Sequence, residues 1–186
     1  IEALCLFLNK MGADIQGLGS NKIVIHGKTK LHAGIEYSII PDRIEAATFL
    51  MAAAITRGNI KLTNVNPNHL EIVVKYLKLA GMKLEIEQNT IHIMPNHTSI
   101  LPVDMITDIY PGFPTDLQAQ WMALMTQANG SSVIKENIYL DRFTHIPELS
   151  RFGAHIHLRK NQAFIRGSDS LIAAPVMSTD IRASAS

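Results

Sequence analysis

The sequence has one cysteine, almost no net charge and no long hydrophobic run, and each of these shortages excludes a class of protein. Cys5 is the only cysteine among 186 residues, so no intrachain disulfide can form and a reducing cytoplasm is the expected compartment. The formal net charge of +1 gives no general attraction to nucleic acid or to an anionic membrane. The longest apolar stretch, Ala46 to Ile55 with Thr48 inside it, is much shorter than the roughly 20 residues of a membrane span.

Two kinds of binding site are also missing from the pattern. The sequence has no glycine-rich nucleotide loop, and its eight histidines are not spaced as zinc ligands. We therefore expect neither a metal nor a cofactor, and a bound anion would have to be held by arginines and backbone amides. Hydrophobic residues make up 47% and charged residues 18%, which is typical of a globular protein with a core.

Both ends of the sequence lie inside regular patterns. Ile1 belongs to an amphipathic segment, and Ser186 stands just inside a new helical pattern. No charged segment followed by a cleavage site opens the chain, so no secretory signal is expected. We therefore expect the sequence to be an internal piece of a longer protein.

One pattern recurs three times along the chain. Each copy has a helix that ends at a glycine, then a strand, a turn at an asparagine and a returning strand. The glycines are Gly12, Gly81 and Gly153 and the asparagines Asn21, Asn89 and Asn161, so both markers recur at intervals of about 70 residues. A glycine at the end of a helix adopts a left-handed conformation without steric cost, and alternation such as that of Leu84 and Ile86 predicts strands with one wet face.

Two longer helices lie between these hairpins, from Arg43 to Arg57 and from Leu117 to Ala128. Both are apolar on almost every side, which is typical of helices surrounded by protein. The pattern thus predicts an α/β fold with sheets outside and helices inside. A composition shift near Pro41 indicates a boundary, with one domain remnant at 1–40 and most of another domain at 41–186.

Three helix starts carry polar side chains, and they begin near Asp42, near Asp116 and near Asp180. In the first turn of a helix, an aspartate usually caps backbone amides and offsets the helix dipole. The neighbouring arginines, Arg43 and Arg182, more often form salt bridges than bind ligands. The alternative is that equivalent points of the repeat converge on one cleft, where helix amides and guanidinium groups would hold an anion.

Four motifs give these positions a more specific meaning. They are Pro41-Asp-Arg-Ile44, Phe113-Pro-Thr-Asp-Leu-Gln-Ala-Gln120, Asp141-Arg-Phe-Thr-His-Ile-Pro-Glu-Leu149 and Thr179-Asp-Ile-Arg-Ala-Ser184. Together, and in this order along the whole chain, they resemble the enolpyruvyl transferase family and, within it, the UDP-N-acetylglucosamine 1-carboxyvinyltransferases. The shikimate-pathway branch has Asp-His-Arg-Met where this sequence has Asp180-Ile-Arg-Ala183, which favours the UDP-sugar branch.

The resemblance implies a fold and a reaction. The fold is an inside-out α/β barrel of repeated βαβαββ units in two domains, with residues 1–40 at the end of the catalytic-loop domain and 41–186 in the second domain. The reaction moves an enolpyruvyl group from phosphoenolpyruvate to the 3-hydroxyl of UDP-N-acetylglucosamine and releases phosphate, a committed step of peptidoglycan synthesis in the bacterial cytoplasm. It needs no cofactor, nucleic acid or membrane.

The resemblance also implies roles for six residues. Asp116 would contact the sugar 3-hydroxyl and serve as general base, and Ile138 would contact the UDP-sugar. The phosphoenolpyruvate side would hold the remaining four: Arg142, Arg182, Asp180 and, as a weaker candidate, Arg43. The family's lysine–asparagine pair and its acid loop lie before Ile1 in this alignment, and Cys5 does not occupy the position of the loop cysteine.

Two alternatives remain at this point, and one expectation follows. The chain could belong to a 3-phosphoshikimate 1-carboxyvinyltransferase, or it could be a repeat scaffold that kept the fold and lost the chemistry. Under the preferred interpretation, the 186 residues alone should be inactive, because they lack the first-domain half of the cleft.

Overall fold

The computed structural model of the chain describes residues 1–168 and 170–178, and the chain divides into two compact units, Ile1–Pro41 and Asp42–Ser186. The first unit holds helix α1 (Glu2–Lys10) and a two-stranded antiparallel sheet of β1 (Asp14–Gln16) and β2 (Val24–His26). Cys5 is buried in α1, whereas Leu4 on the same helix is exposed.

The second unit repeats one arrangement of helix, strand and hairpin. Its first half contains α2 (Arg43–Ile55), β3 (Ile60–Thr63), a 3-10 helix (Pro67–His69), α3 (Glu71–Leu79), β4 (Lys83–Glu87) and β5 (Thr90–Met94). Its second half contains β6 (Met105–Ile106), a 3-10 helix (Thr115–Leu117), α4 (Gln118–Met125), β7 (Ser131–Lys135), α5 (Ile146–Arg151), β8 (His155–Arg159) and β9 (Gln162–Arg166).

Each half of the second unit has its own sheet. The first sheet is antiparallel with strand order β3-β5-β4. The second has the order β6-β7-β9-β8, in which only the β6–β7 pair is parallel. The predicted hairpins are therefore confirmed at β4–β5 and at β8–β9, where the turns lie at the repeated asparagines.

The repeated glycines have the backbone conformation that the pattern predicts. The φ angles of Gly12, Gly81 and Gly153 are +94°, +92° and +87°. A side chain is strained in this region, so glycine at these positions lets each helix stop and the chain turn into the next strand. The three copies thus share the same exit from a helix.

The two apolar helices are shorter than the sequence predicts. Helix α2 ends at Ile55, because Arg57 adopts a left-handed φ of +55° and the Gly58 amide bonds back to the Ala53 carbonyl at 2.7 Å. Helix α4 ends at Met125, because the following amides bond three residues back, as Gln127 does to Leu124. After each helix, the chain can therefore turn toward the next strand.

Helix α4 lies at the centre of the core of the second unit. All eight of its residues are buried, and Trp121 is 0% exposed. The Trp121 ring meets the rings of Phe113 and Tyr76 edge-on at centroid distances of 5.7 and 5.6 Å. The Gln120 amide also donates to the Thr48 hydroxyl at 3.2 Å, which ties α4 to α2.

Membrane insertion through a helix has no support in residues 1–168 and 170–178. None of the helices there combines the length and the apolar composition that crossing a bilayer requires.

Candidate active site

The helix start at Asp42 uses its aspartate for capping. Asp42 occupies the N-cap of α2, and its Oδ1 accepts from the amides of Ile44 at 2.7 Å and Glu45 at 3.3 Å. These bonds satisfy two of the amides that a helix leaves without intrahelical partners. Asp42 therefore has the ordinary structural role of such a residue.

The helix start at Asp116 is built differently. Asp116 lies one residue inside the 3-10 helix, beyond the N-cap residue Pro114. Its Oδ1 accepts from Nη1 of Arg142 at 2.6 Å. The side chain of Asp116 is 34% exposed and that of Arg142 is 17% exposed. A carboxylate and a guanidinium thus lie in contact at a partly exposed point, and they come from segments 26 residues apart.

The segment after β7 lies beside this pair. It carries Ile138 and Tyr139, which are 43% and 53% exposed. The Arg142 guanidinium lies over the Tyr139 ring at 5.4 Å, within the range of a cation–π contact. The apolar surface of this segment is therefore next to the charged pair.

A buried carboxylate joins these segments. Glu136 is 0% exposed, and its Oε1 accepts from the Thr107 hydroxyl at 2.6 Å and from the amides of Ile138 and Tyr139 at 2.8 and 3.0 Å. Its Oε2 accepts from the Thr115 hydroxyl at 3.0 Å. We call Glu136, its two threonines and these two amides the Glu136 cluster.

Arg43 lies over the ring of Tyr110. It is the first residue of α2, and its guanidinium carbon lies 5.3 Å from the centroid of the Tyr110 ring. Helix α2 packs against the 3-10 helix of Asp116. The remaining two candidates, Asp180 and Arg182, lie outside the described residues.

Sequence reasoning missed the Glu136 cluster, although a signal was present. Ser132 and Ile134 point inward from β7, and Glu136 falls on the next inward position of the same alternation. A glutamate at a core-facing strand position is unusual enough to indicate a special role. Thr115 could have been recognised too, because it stands beside Asp116 in the motif.

The described residues contain no cluster of three or more His, Cys, Asp or Glu side chains that could hold a metal ion. The Asp116–Arg142 contact places a carboxylate, which can accept a proton, beside a guanidinium, which can bind an anion.

Comparison with known proteins gives a consistent picture over the whole chain. The family description "EPSP synthase (3-phosphoshikimate 1-carboxyvinyltransferase)" matches residues 1–186. Curated relatives named UDP-N-acetylglucosamine 1-carboxyvinyltransferase include one from Chlorobium chlorochromatii, 51% identical over 185 residues, and one from Bartonella tribocorum, 49% identical over 181 residues. The chain spans 43% of the length of the first relative and 42% of the second.

Solved structures share the fold. The enolpyruvyl transferase NikO from Streptomyces tendae matches 98% of this chain and 44% of its own, with a TM-score of 0.85 and 24% identity. An EPSP synthase from Acinetobacter baumannii matches 91% of this chain and 39% of its own, with a TM-score of 0.55 and 17% identity. The α/β arrangement is thus the enolpyruvyl transferase fold, and the predicted resemblance is confirmed: the chain belongs to the EPSP synthase family of enolpyruvyl transferases.

Proposed function

We propose that the full-length protein transfers the enolpyruvyl group of phosphoenolpyruvate to the 3-hydroxyl of UDP-N-acetylglucosamine and releases phosphate. The observation that carries the proposal is the contact between Asp116 and Arg142, 2.6 Å apart at a partly exposed helix start. The name of the relatives with about half of their residues identical supports the choice of sugar. As part of the same proposal, the product enters peptidoglycan synthesis in the bacterial cytoplasm.

In this proposal, Asp116 is the general base. The sugar 3-hydroxyl is a weak nucleophile, and a carboxylate within hydrogen-bond reach takes its proton as the oxygen bonds to C2 of phosphoenolpyruvate. An acid from the rest of the protein protonates C3, and a tetrahedral adduct forms. Phosphate then leaves C2 while C3 loses a proton, which restores the double bond in the product.

The positive side of the cleft binds the negatively charged phosphate and carboxylate of phosphoenolpyruvate. Arg142 is already directed toward Asp116, and a planar guanidinium binds phosphate or carboxylate through two parallel bonds. Arg182, Asp180 and Arg43 are proposed for the same side on the strength of the motifs. Ile138, half exposed beside Arg142, offers the UDP-sugar an apolar contact and a backbone carbonyl.

The architecture proposed for the whole protein is the inside-out barrel in two domains, with residues 1–40 in the catalytic-loop domain and 41–186 in the second. Three observations support it: the division of the chain at Pro41, the complete burial of α4, and sheets such as β8–β9 with exposed outer residues. A cleft that closes between two domains would exclude water, which strengthens the charge interactions within it.

Two other functions are compatible with the fold. The first is transfer to shikimate 3-phosphate, which the family description names. The second is a scaffold without activity. The Asp116–Arg142 contact favours an active protein over a scaffold, because it places a carboxylate and a guanidinium together at a partly exposed point where a substrate could reach both.

The test uses the full-length protein and the 186-residue chain side by side. We expect the full-length protein to release phosphate from phosphoenolpyruvate in the presence of UDP-N-acetylglucosamine and not of shikimate 3-phosphate. We expect no release by the 186 residues alone, because the family resemblance puts the other half of the cleft in the first domain. Release with shikimate 3-phosphate alone would establish the first alternative, and no release with either acceptor would favour the scaffold.

A further inference from the structure

The buried carboxylate of Glu136 takes no part in the proposed reaction. Among residues 1–168 and 170–178, Glu136 is the only fully buried Asp, Glu, Lys or Arg side chain. Burying a carboxylate is costly unless it is well bonded, and an apolar residue of similar size would fill the same volume at lower cost. Its presence therefore calls for a reason other than packing.

The bonds of Glu136 indicate what that reason is. The carboxylate accepts from four donors that belong to three separate segments of the chain: Thr107 after β6, Thr115 in the 3-10 helix, and the amides of Ile138 and Tyr139 after β7. Bonds to a charged acceptor are about twice as strong as neutral ones. The same side chain thus bonds to the 3-10 helix of Asp116 and to the segment that leads to Arg142.

The hydroxyl of Thr115 links Glu136 to the Asp116–Arg142 pair. Thr115 donates to Glu136 at 3.0 Å and accepts from Nη1 of Arg142 at 3.4 Å, the same nitrogen that donates to Asp116 at 2.6 Å. On the other side, the backbone from Ile138 to Tyr139 is held by two amide bonds to the same carboxylate. Glu136 therefore bonds to the hydroxyl beside Asp116 and Arg142 and to the backbone amides of Ile138 and Tyr139.

Further hydrogen bonds hold the backbone around Glu136. The Asn137 amide donates to the Thr107 hydroxyl at 2.9 Å, and the Asn161 side chain donates to the Glu136 carbonyl at 2.8 Å. Asn161 is the repeat asparagine of the β8–β9 turn, so the carboxylate is anchored to the sheet on one side and to the site on the other. A rigid support of this kind is what a catalytic arrangement needs to hold its geometry.

We infer that Glu136 is a positioning residue of the transferase site, which sets the sugar-contact segment through the amides of Ile138 and Tyr139 and sets the Asp116–Arg142 pair through Thr115. The inference rests on the proposed function for its kinetic consequences. The positioning itself is a property of the folded chain and can be measured without a substrate.

The test compares three variants of the full-length protein. Glu136→Gln keeps the shape of the side chain and removes its charge. Thr115→Val removes only the hydroxyl that joins Glu136 to Arg142. Glu87→Gln is the matched control, because Glu87 is an exposed carboxylate on β4 in the other sheet, bonded to Lys61 and Thr90.

We expect Glu136→Gln to lower kcat/KM by about tenfold to about a hundredfold, because small displacements of reacting groups are enough for such losses. Part of this loss should appear as a higher KM for UDP-N-acetylglucosamine. Thr115→Val should lower kcat while that KM stays near the wild-type value, since the Ile138 and Tyr139 amides keep their acceptor. Glu87→Gln should change neither constant.

Hydrogen exchange provides the readout that is independent of activity. In Glu136→Gln, the amides of Ile138 and Tyr139 should exchange about tenfold faster or more, because they lose a charged acceptor. The strand amides of β7 and β9 should be unaffected. Glu87→Gln should leave the exchange of Ile138 and Tyr139 at the wild-type rate.

Two results would overturn the inference. One is unchanged exchange at Ile138 and Tyr139 in Glu136→Gln. The other is a lower Tm with wild-type kcat and KM per folded molecule, which is the result of a purely structural role. If the wild-type protein shows no transferase activity, the proposed function fails, and the exchange measurement still decides whether Glu136 positions the segment.

Discussion

The two helix starts at Asp42 and Asp116 can be compared directly, because both begin an apolar helix in successive halves of the second unit. At Asp42 the carboxylate bonds to the amides of Ile44 and Glu45 in its own helix. At Asp116 the carboxylate bonds to Arg142, and the described residues show no side-chain cap on that helix. The same residue type thus caps its own helix in one half and contacts a neighbouring segment in the other.

The difference has a local cause. Asp42 is the N-cap itself, with an extended backbone that directs the side chain over the first turn. Asp116 is the second residue of a 3-10 turn whose N-cap is Pro114, so its side chain is past the capping position. A shift of two residues relative to the helix start is enough to redirect a carboxylate from its own backbone toward a neighbouring segment.

The largest expected effect comes from Asp116→Asn in the full-length protein. The variant keeps the shape of the side chain and loses the group that accepts the sugar proton, so kcat should fall by about 10²–10⁴-fold. Phosphate release measures the loss, and Tm should remain near that of the wild type. Turnover close to normal would mean that the two helix starts do not differ in chemistry.

A smaller effect is expected from Arg142→Lys. Lysine retains the positive charge but cannot present two parallel donors, so it should hold Asp116 and an anionic substrate less well. A bond to a charged group contributes about 1.5–3 kcal/mol, which corresponds to a loss of roughly tenfold to a hundredfold in kcat/KM. The loss should fall mainly on KM for phosphoenolpyruvate, and a rise confined to KM for the sugar would contradict the assigned side of the cleft.

The smallest effect is expected at the other helix start. Asp42→Ala removes the cap of α2 and should cost about 1 kcal/mol of stability, seen as a lower Tm. Asp42→Asn, which can still accept from the same amides, is the control and should be close to the wild type. Because Asp42 is used within its own helix, kcat per folded molecule should not change in either variant.

The sequence predicts much of the fold because the repeat is regular. The hairpins β4–β5 and β8–β9, the glycine exits and the two apolar helices follow from alternation and from turn residues. The first copy is less regular: β2 begins at Val24, and both of its strands have three residues. Strands this short carry too little alternation to fix their ends.

The candidate site is only partly readable from the sequence. The motifs point to Asp116 and Arg142, whose contact is seen in the structure. The Glu136 cluster depends on three segments that are distant in the sequence, Thr107, Thr115 and the residues after β7, so no local pattern contains it. What the sequence does show is a glutamate on the inward side of a strand, which indicates that it has partners without saying which ones.

The aromatic core around α4 has a practical consequence for the study of this chain. Trp121 is the only tryptophan in the 186 residues, and it is fully buried against Phe113 and Tyr76 in the second unit. Its fluorescence therefore reports on that unit alone, whereas far-ultraviolet circular dichroism sums the helices of both. Denaturation followed by the two signals together can tell whether the units lose their structure in one step or in two.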